Sequence, residues 1–374
     1  MRIAPIRVNP YFNKNIAINK QNQTFTGNNQ NTAESHIAER TSEPNLNTYI
    51  ALMNNKMKLN ANIKFFLGAM TSIDTDAKRK HQPIQIADIG CCDGALCRTL
   101  SDFLPPNTKY VGLDLSKDML DVAREKDSKA NKSNSQYFVG NAFDLPFKEN
   151  KMDVIIASSI MHELYSYADE NYGEKPYSKE SILHFMQQAY DCLKPGGILI
   201  IKDPATPSSD AWESIKICNA NEDDGSYPPI EDEEELKKAD ITKLCTLDKL
   251  KRFCTDFYPA HGNCEWNENT CIMPRWLVTE FVRHRKWLAT PENWAYEIKE
   301  NYGTLRPDEM ANFAQNIGFD SVKIENISIP NENNIYAIRP GEFELKDMEN
   351  NTLSLEDFPM FLEVILKKPR ISTR

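Results

Sequence analysis

The sequence of 374 residues lacks long apolar runs, cysteine pairs of the C-x-x-C type and an excess of basic residues. Apolar stretches such as residues 154–157 and 198–201 have the length of a β-strand and are too short to span a bilayer. The N-terminus is rich in Asn and Gln and has no apolar segment typical of a signal peptide. Nine cysteines without paired spacing indicate free thiols in a reducing compartment. We therefore expect a soluble, cytoplasmic protein with no membrane span.

Basic charge is scarce, because 44 Lys and Arg stand against 54 Asp and Glu and the net charge is −10. Nucleic acids and anionic membranes are bound by basic surfaces, so this balance favours a small-molecule partner over a nucleic acid. The basic cluster at Arg275 and residues 283–286 predicts either a solvated helix face or a site for an anionic group. The composition does not define the oligomeric state.

Five segments differ in composition and in the spacing of their apolar residues. Polar residues without a period predict disorder, apolar residues at helical spacing predict helices, and alternating strands and helices predict a parallel sheet. The segments are a disordered polar tail (1–44), a helical lead-in (45–82), a Rossmann-like α/β core (83–204), a mostly helical insertion or lid (205–305) and a C-terminal αβ passage that completes the sheet (306–370). Within the insertion, helices are predicted at 209–219, 247–256 and 275–289.

A glycine-containing turn follows the first predicted strand, at Asp88-Ile89-Gly90-Cys91-Cys92-Asp93-Gly94. Glycines in such a turn allow the backbone to approach a ligand, and the helix that follows directs its amide-rich N-terminus to the same place. The second predicted strand ends in Asp114, a carboxylate placed as in nucleoside-binding βαβ units that grip a ribose. The turn therefore predicts a nucleoside site.

The motifs that follow resemble those of the class I S-adenosylmethionine-dependent methyltransferases. Asp88-x-Gly90-x-x-x-Gly94 is similar to their first motif, and Asp114 to the acidic end of their second strand. The third motif, the fourth strand and the turn before the fifth strand correspond to residues 140–147, 153–158 and 193–197. The Asn-Ala-x-x-Leu-Pro-Phe form is similar to that of ubiquinone and menaquinone biosynthesis methyltransferases. The resemblance covers residues 84–203 and extends to the final αβ passage.

This resemblance implies a seven-stranded Rossmann-like sheet with strand order 3-2-1-4-5-7-6, the last strand antiparallel, and S-adenosylmethionine as cofactor. Asp88 would hold the cofactor's ammonium group, and Gly90 and Gly94 would let the backbone approach its amino-acid end. Asp114 would accept hydrogen bonds from both ribose hydroxyls. The remaining implied cofactor contacts are Asn141 and Ala142 beside the adenine, and Ser158 at the end of the fourth strand.

A dinucleotide-binding dehydrogenase is the rival interpretation of the same turn. Its fingerprint requires a second glycine where this chain has Cys92. The turn Pro195-Gly196-Gly197 has no role in that scheme, whereas the methyltransferase interpretation expects it. Methyltransferases also usually have glycine at the position of Cys92, so a positive φ angle there would strain the backbone.

The segment after the fourth strand carries the catalytic candidates. His162 is a residue type whose ordinary pKa suits a general base, and Glu163 could orient it or bind the acceptor. The alternative is that His162 starts the next helix and only bonds to the backbone. Tyr165 and Tyr167 could line an acceptor pocket or pack in the core.

Metal-ligand residue types also occur in the insertion, at Cys254, His261, Cys264 and Cys271. They lack the tight C-x-x-C pair of structural zinc sites, so we predict no metal.

The predicted function is methyl transfer from S-adenosylmethionine to an unidentified, small-molecule acceptor. The acidic charge and the large insertion favour an enclosed small acceptor over a polymer. Two alternatives remain open: an RNA or protein methyltransferase, and a non-catalytic cofactor-binding or scaffold protein in which Cys92 marks a degenerate site.

Overall fold

The computed structural model describes residues 56–167, 176–208, 210–220, 227–285, 291–329 and 336–370. The tail predicted at 1–44, and the first part of the predicted lead-in helices, lie outside these residues. Within the described ranges, no helix combines the length and the apolar character needed to cross a membrane.

A seven-stranded sheet forms the centre of the molecule. Its strands run along the chain as β1 (Gln85–Ile89), β2 (Lys109–Asp114), β3 (Ser135–Val139), β4 (Met152–Ser158), β5 (Leu193–Pro204), β9 (Asp320–Ile327) and β11 (Phe361–Lys367). Their spatial order is β3-β2-β1-β4-β5-β11-β9. Strands β1 to β5 are parallel, whereas β11 is antiparallel to both β5 and β9. The predicted order 3-2-1-4-5-7-6 with an antiparallel last strand is confirmed.

Apolar side chains alternate between the two faces of this sheet, and each face has its own helical layer. Ile86, Val154 and Ile200 lie in one core cluster, with residues of helices α1 (Lys56–Ala69) and α3 (Ala95–Leu100). Their neighbours along the same strands, such as Ile155, Leu199 and Ile201, lie in the opposite cluster. The helices of that second layer are α5 (Met161–Ser166), α6 (Lys179–Cys192) and α11 (Pro307–Ile317). Two further helices near the sheet are α2 (Asp76–Arg79) and α4 (Lys117–Lys129). Burial on both faces explains the uninterrupted apolar runs.

Three strands of the insertion and one strand of the C-terminal passage form a second, antiparallel sheet that the sequence did not reveal. Its order is β10-β6-β8-β7, with β6 at Ser214–Cys218, β7 at Glu265–Asn267, β8 at Thr270–Pro274 and β10 at Glu344–Lys346. The helix predicted at 209–219 is therefore wrong. Ile215 and Ile217 are buried and alternate with more exposed neighbours, which is the period of a strand.

Helical residues outnumber strand residues in the described part of the insertion. The helices are α7 (Glu233–Lys238), α8 (Thr246–Asp256), α9 (Arg275–His284) and α10 (Pro291–Glu297), with short 3-10 turns at Ile241–Lys243 and Tyr258–Ala260. The helix predicted at 247–256 is confirmed, and the one predicted at 275–289 ends as a regular helix at His284. These helices and the small sheet share a third apolar core.

Candidate functional site

The loop after β1 is held in a left-handed conformation. Gly90 and Gly94 have φ angles of +70° and +71°, and a Cβ atom would collide with the Ile160 side chain at Gly90 and with the Tyr137 hydroxyl at Gly94. The N–H groups of Gly90 and Cys91 donate to the carbonyl of Leu113, at 2.8 and 3.1 Å. Both glycines are thus required by backbone angle and by packing beneath the loop.

Cys92 adopts a φ angle of +50°, a region that side-chain-bearing residues seldom occupy. Its N–H donates to Oδ2 of Asp114 at 2.8 Å, while the N–H of Ser116 donates to Oδ1 at 2.9 Å. Burial raises the pKa of Asp114, and these backbone N–H groups partly offset that increase. Each carboxylate oxygen has a second lone pair, so Asp114 can also accept from two adjacent hydroxyls.

Asp88 is buried near the end of β1 with 2% of its surface exposed. The thiol of Cys97 donates to its Oδ2 at 3.5 Å, and no basic side chain among the described residues forms an ion pair with it. Burial raises the pKa of Asp88 to about 7, although the Cys97 hydrogen bond opposes this shift. A primary ammonium group is the kind of partner that would restore the carboxylate.

The other three predicted cofactor residues lie at the same edge of the sheet. The N–H of Gly140 donates to the Asp114 carbonyl at 3.0 Å, which brings Asn141 and Ala142 beside the end of β2. Asn141 is buried and its Oδ1 accepts the N–H of Phe143 at 3.0 Å, so that oxygen shapes the turn. Ser158 is half-buried at the end of β4. The parallel strands therefore bring all seven predicted residues to one edge.

His162 lies on α5, between two acidic residues that the sequence did not single out. Its Nδ1 donates to Oδ1 of Asp203 at 2.7 Å, and its Nε2 lies 3.6 Å from Oε2 of Glu300. The second Asp203 oxygen accepts the N–H groups of Ile160 and Met161, at 3.0 and 2.7 Å. Asp203 thus fixes both the start of the helix and the orientation of the imidazole.

These contacts change the protonation of His162. Burial alone would lower its pKa, but the charges of Asp203 and Glu300 outweigh that effect and raise the pKa to about 9. This raised pKa favours the imidazolium form at neutral pH and does not fit the expectation of a base with an ordinary pKa. An imidazolium at this position would stabilise two buried carboxylates.

Glu163, the second catalytic candidate, is half-buried on α5. Burial raises the pKa of the Cys92 thiol, and nearby charges, including those of Asp114 and Glu163, raise it further. Tyr167 is buried and its hydroxyl donates to Glu300 at 3.0 Å. The core-packing alternative for Tyr167 is therefore favoured.

The basic cluster on α9 is not a solvated helix face. Arg283, His284 and Arg285 are all buried, and Arg283 donates to Glu280 at 3.0 Å. The two Glu280 oxygens accept the N–H groups of Tyr302 and Gly303, both at 2.8 Å. Glu280 and His284 are four residues apart, a spacing that allows their side chains to pair on one face of a helix. This spacing does not reveal that both residues are buried.

The segment at residues 300–303 also contacts α5. The N–H of Asn301 donates to Oγ of Ser166 at 2.8 Å, and the rings of His162 and Tyr302 are 5.3 Å apart. The insertion therefore reaches the helix that carries His162 and Glu163.

The fold and the loop geometry define a class I S-adenosylmethionine-dependent methyltransferase, a class that uses this cofactor as methyl donor. Residues 80–265, just under half of the chain, match the family model described as a methyltransferase domain. The predicted recognition is confirmed.

Curated relatives include demethylmenaquinone methyltransferases. The protein of Listeria monocytogenes serotype 4a is 26% identical over 137 residues, which are 37% of this chain and 52% of the relative. That of Lactococcus lactis is 27% identical over 125 residues, covering 33% of this chain and 44% of the relative. The chain thus spans about half the length of the curated relatives it matches.

The chain also aligns with solved structures, among them an S-adenosylmethionine-dependent methyltransferase from Methanosarcina mazei, with 11% identity and a TM-score of 0.39. The alignment covers 77% of this chain and 94% of that chain. The YcgJ protein of Bacillus subtilis has 13% identity and a TM-score of 0.40, with coverage of 82% and 98%.

Proposed function

We propose that the protein transfers a methyl group from S-adenosylmethionine to a small-molecule acceptor at the carboxyl edge of β1, β2, β3 and β4. The observation that carries this proposal is Asp88, a buried carboxyl without a basic partner among the described residues, beside a left-handed loop and Asp114. The cofactor has an ammonium group and a ribose diol, which are the groups that two such carboxylates bind.

In this proposal each residue binds one part of the cofactor. Asp88 holds the ammonium group, the loop from Gly90 to Gly94 surrounds the methionyl part, and Asp114 holds the ribose. Asn141 and Ala142 flank the adenine, and Ser158 borders the sulfur end. The bound cofactor supplies an electrophilic methyl group, and positioning it in line with the acceptor accounts for much of the rate.

Glu163 is the residue we propose for contact with the acceptor, because its charge acts on Cys92 in the loop that would hold the methionyl part. His162 is a positioning residue in this scheme. As an imidazolium between Asp203 and Glu300, it fixes α5 and therefore the direction of Glu163. A proton from the acceptor would go to Glu163 or to solvent.

A small acceptor is supported by the acidic net charge and by the segment at residues 300–303, which packs against α5. The curated relatives are named as acting on demethylmenaquinone, which suggests a ring-containing acceptor for this chain as well. An RNA or protein acceptor remains the alternative.

Calorimetry with S-adenosylhomocysteine tests the cofactor site. We expect binding to the wild type and at least about tenfold weaker binding to Asp114→Ala, because two hydroxyl contacts are lost. Asp121→Ala is the matched control, since Asp121 is an exposed carboxylate on α4 whose partners are Lys117 and Arg124. No binding to the wild type, or equal affinity in Asp114→Ala, would favour the scaffold alternative.

Label transfer from methyl-labelled S-adenosylmethionine tests the acceptor. Fractions of metabolites, total tRNA and protein are compared under identical conditions. We expect label in the metabolite fraction, and its loss with retained cofactor binding in Glu163→Gln. Label found in tRNA or protein would replace the small-molecule proposal.

A further inference from the structure

The folded insertion brings together three cysteines that are distant in the sequence. The sulfur atoms of Cys254, Cys264 and Cys271 all lie within 4.8 Å of one another. Cys254 lies on α8, Cys264 immediately precedes β7, and Cys271 lies in β8. The cluster of three thiols therefore lies where the β7–β8 hairpin meets helix α8.

The spacing of the sulfur atoms fits a tetrahedral thiolate site. Zinc binds thiolate sulfur at about 2.3 Å, which places two sulfurs of one tetrahedron about 3.8 Å apart. The sulfurs of Cys254 and Cys271 are 3.9 Å apart. The third sulfur is close enough to reach the same centre through a side-chain rotation.

The surroundings of the cluster are those of a closed structural site. Cys271 is buried in the core of the insertion, and Cys254 and Cys264 are half-buried and pack against that core.

His261 lies three residues before Cys264 and outside the group of sulfur atoms that lie within 4.8 Å of one another. Its Nε2 lies 2.8 Å from the carbonyl of Thr255. An N–H donated to that carbonyl leaves the lone pair on Nδ1, which is the arrangement found in metal-bound histidines whose other nitrogen bonds to the backbone.

We propose that Cys254, Cys264 and Cys271 bind a thiophilic divalent cation, with Zn²⁺ as its representative, and that His261 or a water completes the tetrahedron. The ion would cross-link the hairpin at 265–274 to α8. This site is distinct from the carboxyl edge of the large sheet and does not depend on the proposed methyl transfer. It also revises the sequence prediction of no metal, which relied on the absence of a C-x-x-C pair.

Zinc binding to the full-length, reduced and chelator-treated protein tests the proposal. We expect one Zn²⁺ per chain by native mass spectrometry, and a tetrahedral thiolate spectrum when Co²⁺ is added instead. Cys264→Ser should weaken Zn²⁺ binding by more than about tenfold, because it removes a ligand rather than a supporting contact. Cys218→Ser is the matched control, since Cys218 is a half-buried cysteine of the same small sheet and lies outside the cluster.

Alkylation of the wild type provides a second test that does not depend on any variant folding. Added Zn²⁺ should protect Cys254, Cys264 and Cys271 from iodoacetamide and leave the reaction of Cys218 unchanged. The proposal is overturned if the reduced wild type binds less than stoichiometric Zn²⁺, or if Cys218→Ser loses as much as Cys264→Ser. It is equally overturned if peptide mapping finds a Cys254–Cys271 disulfide and the reduced form does not bind Zn²⁺.

Discussion

At Asp88, burial favours the protonated carboxyl, whereas the proposed function requires the ionised carboxylate. Burial raises the pKa of its carboxyl to about 7, so the group retains a proton in the unliganded protein below that pH. An ammonium ligand requires the ionised form, and binding at lower pH must therefore release a proton. Below about pH 7, the affinity for S-adenosylhomocysteine should rise by up to about tenfold per pH unit. Above that pH the affinity should level off.

5′-Methylthioadenosine is the matched ligand for this measurement, because it has the adenosine and the thioether but no ammonium group. Calorimetry over a pH series should give a pH-independent affinity for 5′-methylthioadenosine. Asp88→Asn should remove the pH dependence for S-adenosylhomocysteine. The same pH dependence for both ligands would show that Asp88 does not contact the ammonium group.

Cys92 is a residue whose backbone angle suits glycine and whose N–H is used by Asp114. Cys92→Gly retains that N–H and removes the strain, so the free energy of unfolding should stay within about 1 kcal/mol of the wild type. Cys92→Val places a β-branched side chain at a positive φ angle and should cost about 2 kcal/mol or more. Urea unfolding of the two variants measures the difference.

Cofactor affinity should follow the same pattern for these two variants, with Cys92→Gly close to the wild type and Cys92→Val weaker. If Cys92→Gly loses as much affinity as Cys92→Val, the thiol itself contacts the cofactor and the backbone explanation is wrong.

At the scale of elements, His162 joins β5, α5 and the segment at Glu300. Its folded pKa of about 9 exceeds the usual value near 6.5, so protonated His162 stabilises the folded state. This contribution is fully present below about pH 6.5 and is lost as the pH rises through about 9. It amounts to roughly 3 kcal/mol.

Chemical denaturation between about pH 6 and pH 10 tests this linkage. The difference in unfolding free energy between the wild type and His162→Gln should shrink as the pH rises. A pH-independent difference for His162→Gln would mean that the imidazole is neutral in the folded protein.

The large sheet was predictable because its strands carry their own signals. Strand β4 and the apolar part of β5 are buried on both faces and read as short apolar runs. The existence of these strands could therefore be predicted from local patterns, whereas their order in the sheet was implied by the resemblance to the methyltransferase family. Because parallel strands end at the same edge, that order also places the predicted cofactor residues together.

The second sheet and the partners of His162 depend on contacts between distant residues. Strand β10, at 344–346, pairs with β6, at 214–218, across most of the insertion. Glu300 meets Tyr167 from a position 133 residues away. Neither pairing has a local pattern, and the burial of Arg283 and His284 cannot be read from their charges. For the same reason, the wide spacing of the three cysteines did not predict a metal site.

At the scale of the whole molecule, Arg283 connects the insertion to the large sheet. Its guanidinium donates to the carbonyls of Ala205, Pro359 and Met360, at 2.7, 3.0 and 3.2 Å. Ala205 directly follows β5, and Met360 directly precedes β11. Glu280, the ion-pair partner of Arg283, also accepts hydrogen bonds from the N–H groups of Tyr302 and Gly303, beside α5. Since α9 packs against β6 and β8, this buried ion pair links the large sheet to the helix that covers the small one and to the segment beside α5.

Arg283→Met should destabilise the protein by about 3–5 kcal/mol, because it leaves the buried Glu280 carboxylate without its cation and three carbonyls without a donor. Lys237→Met, which breaks an exposed pair with Glu234, should change stability by less than about 0.5 kcal/mol. Adding Glu280→Gln to Arg283→Met should recover part of the loss, since the uncompensated charge is removed. Urea unfolding of the four proteins gives the values. An equal cost for Arg283→Met and Lys237→Met would mean that the two sheets are held together by apolar packing alone.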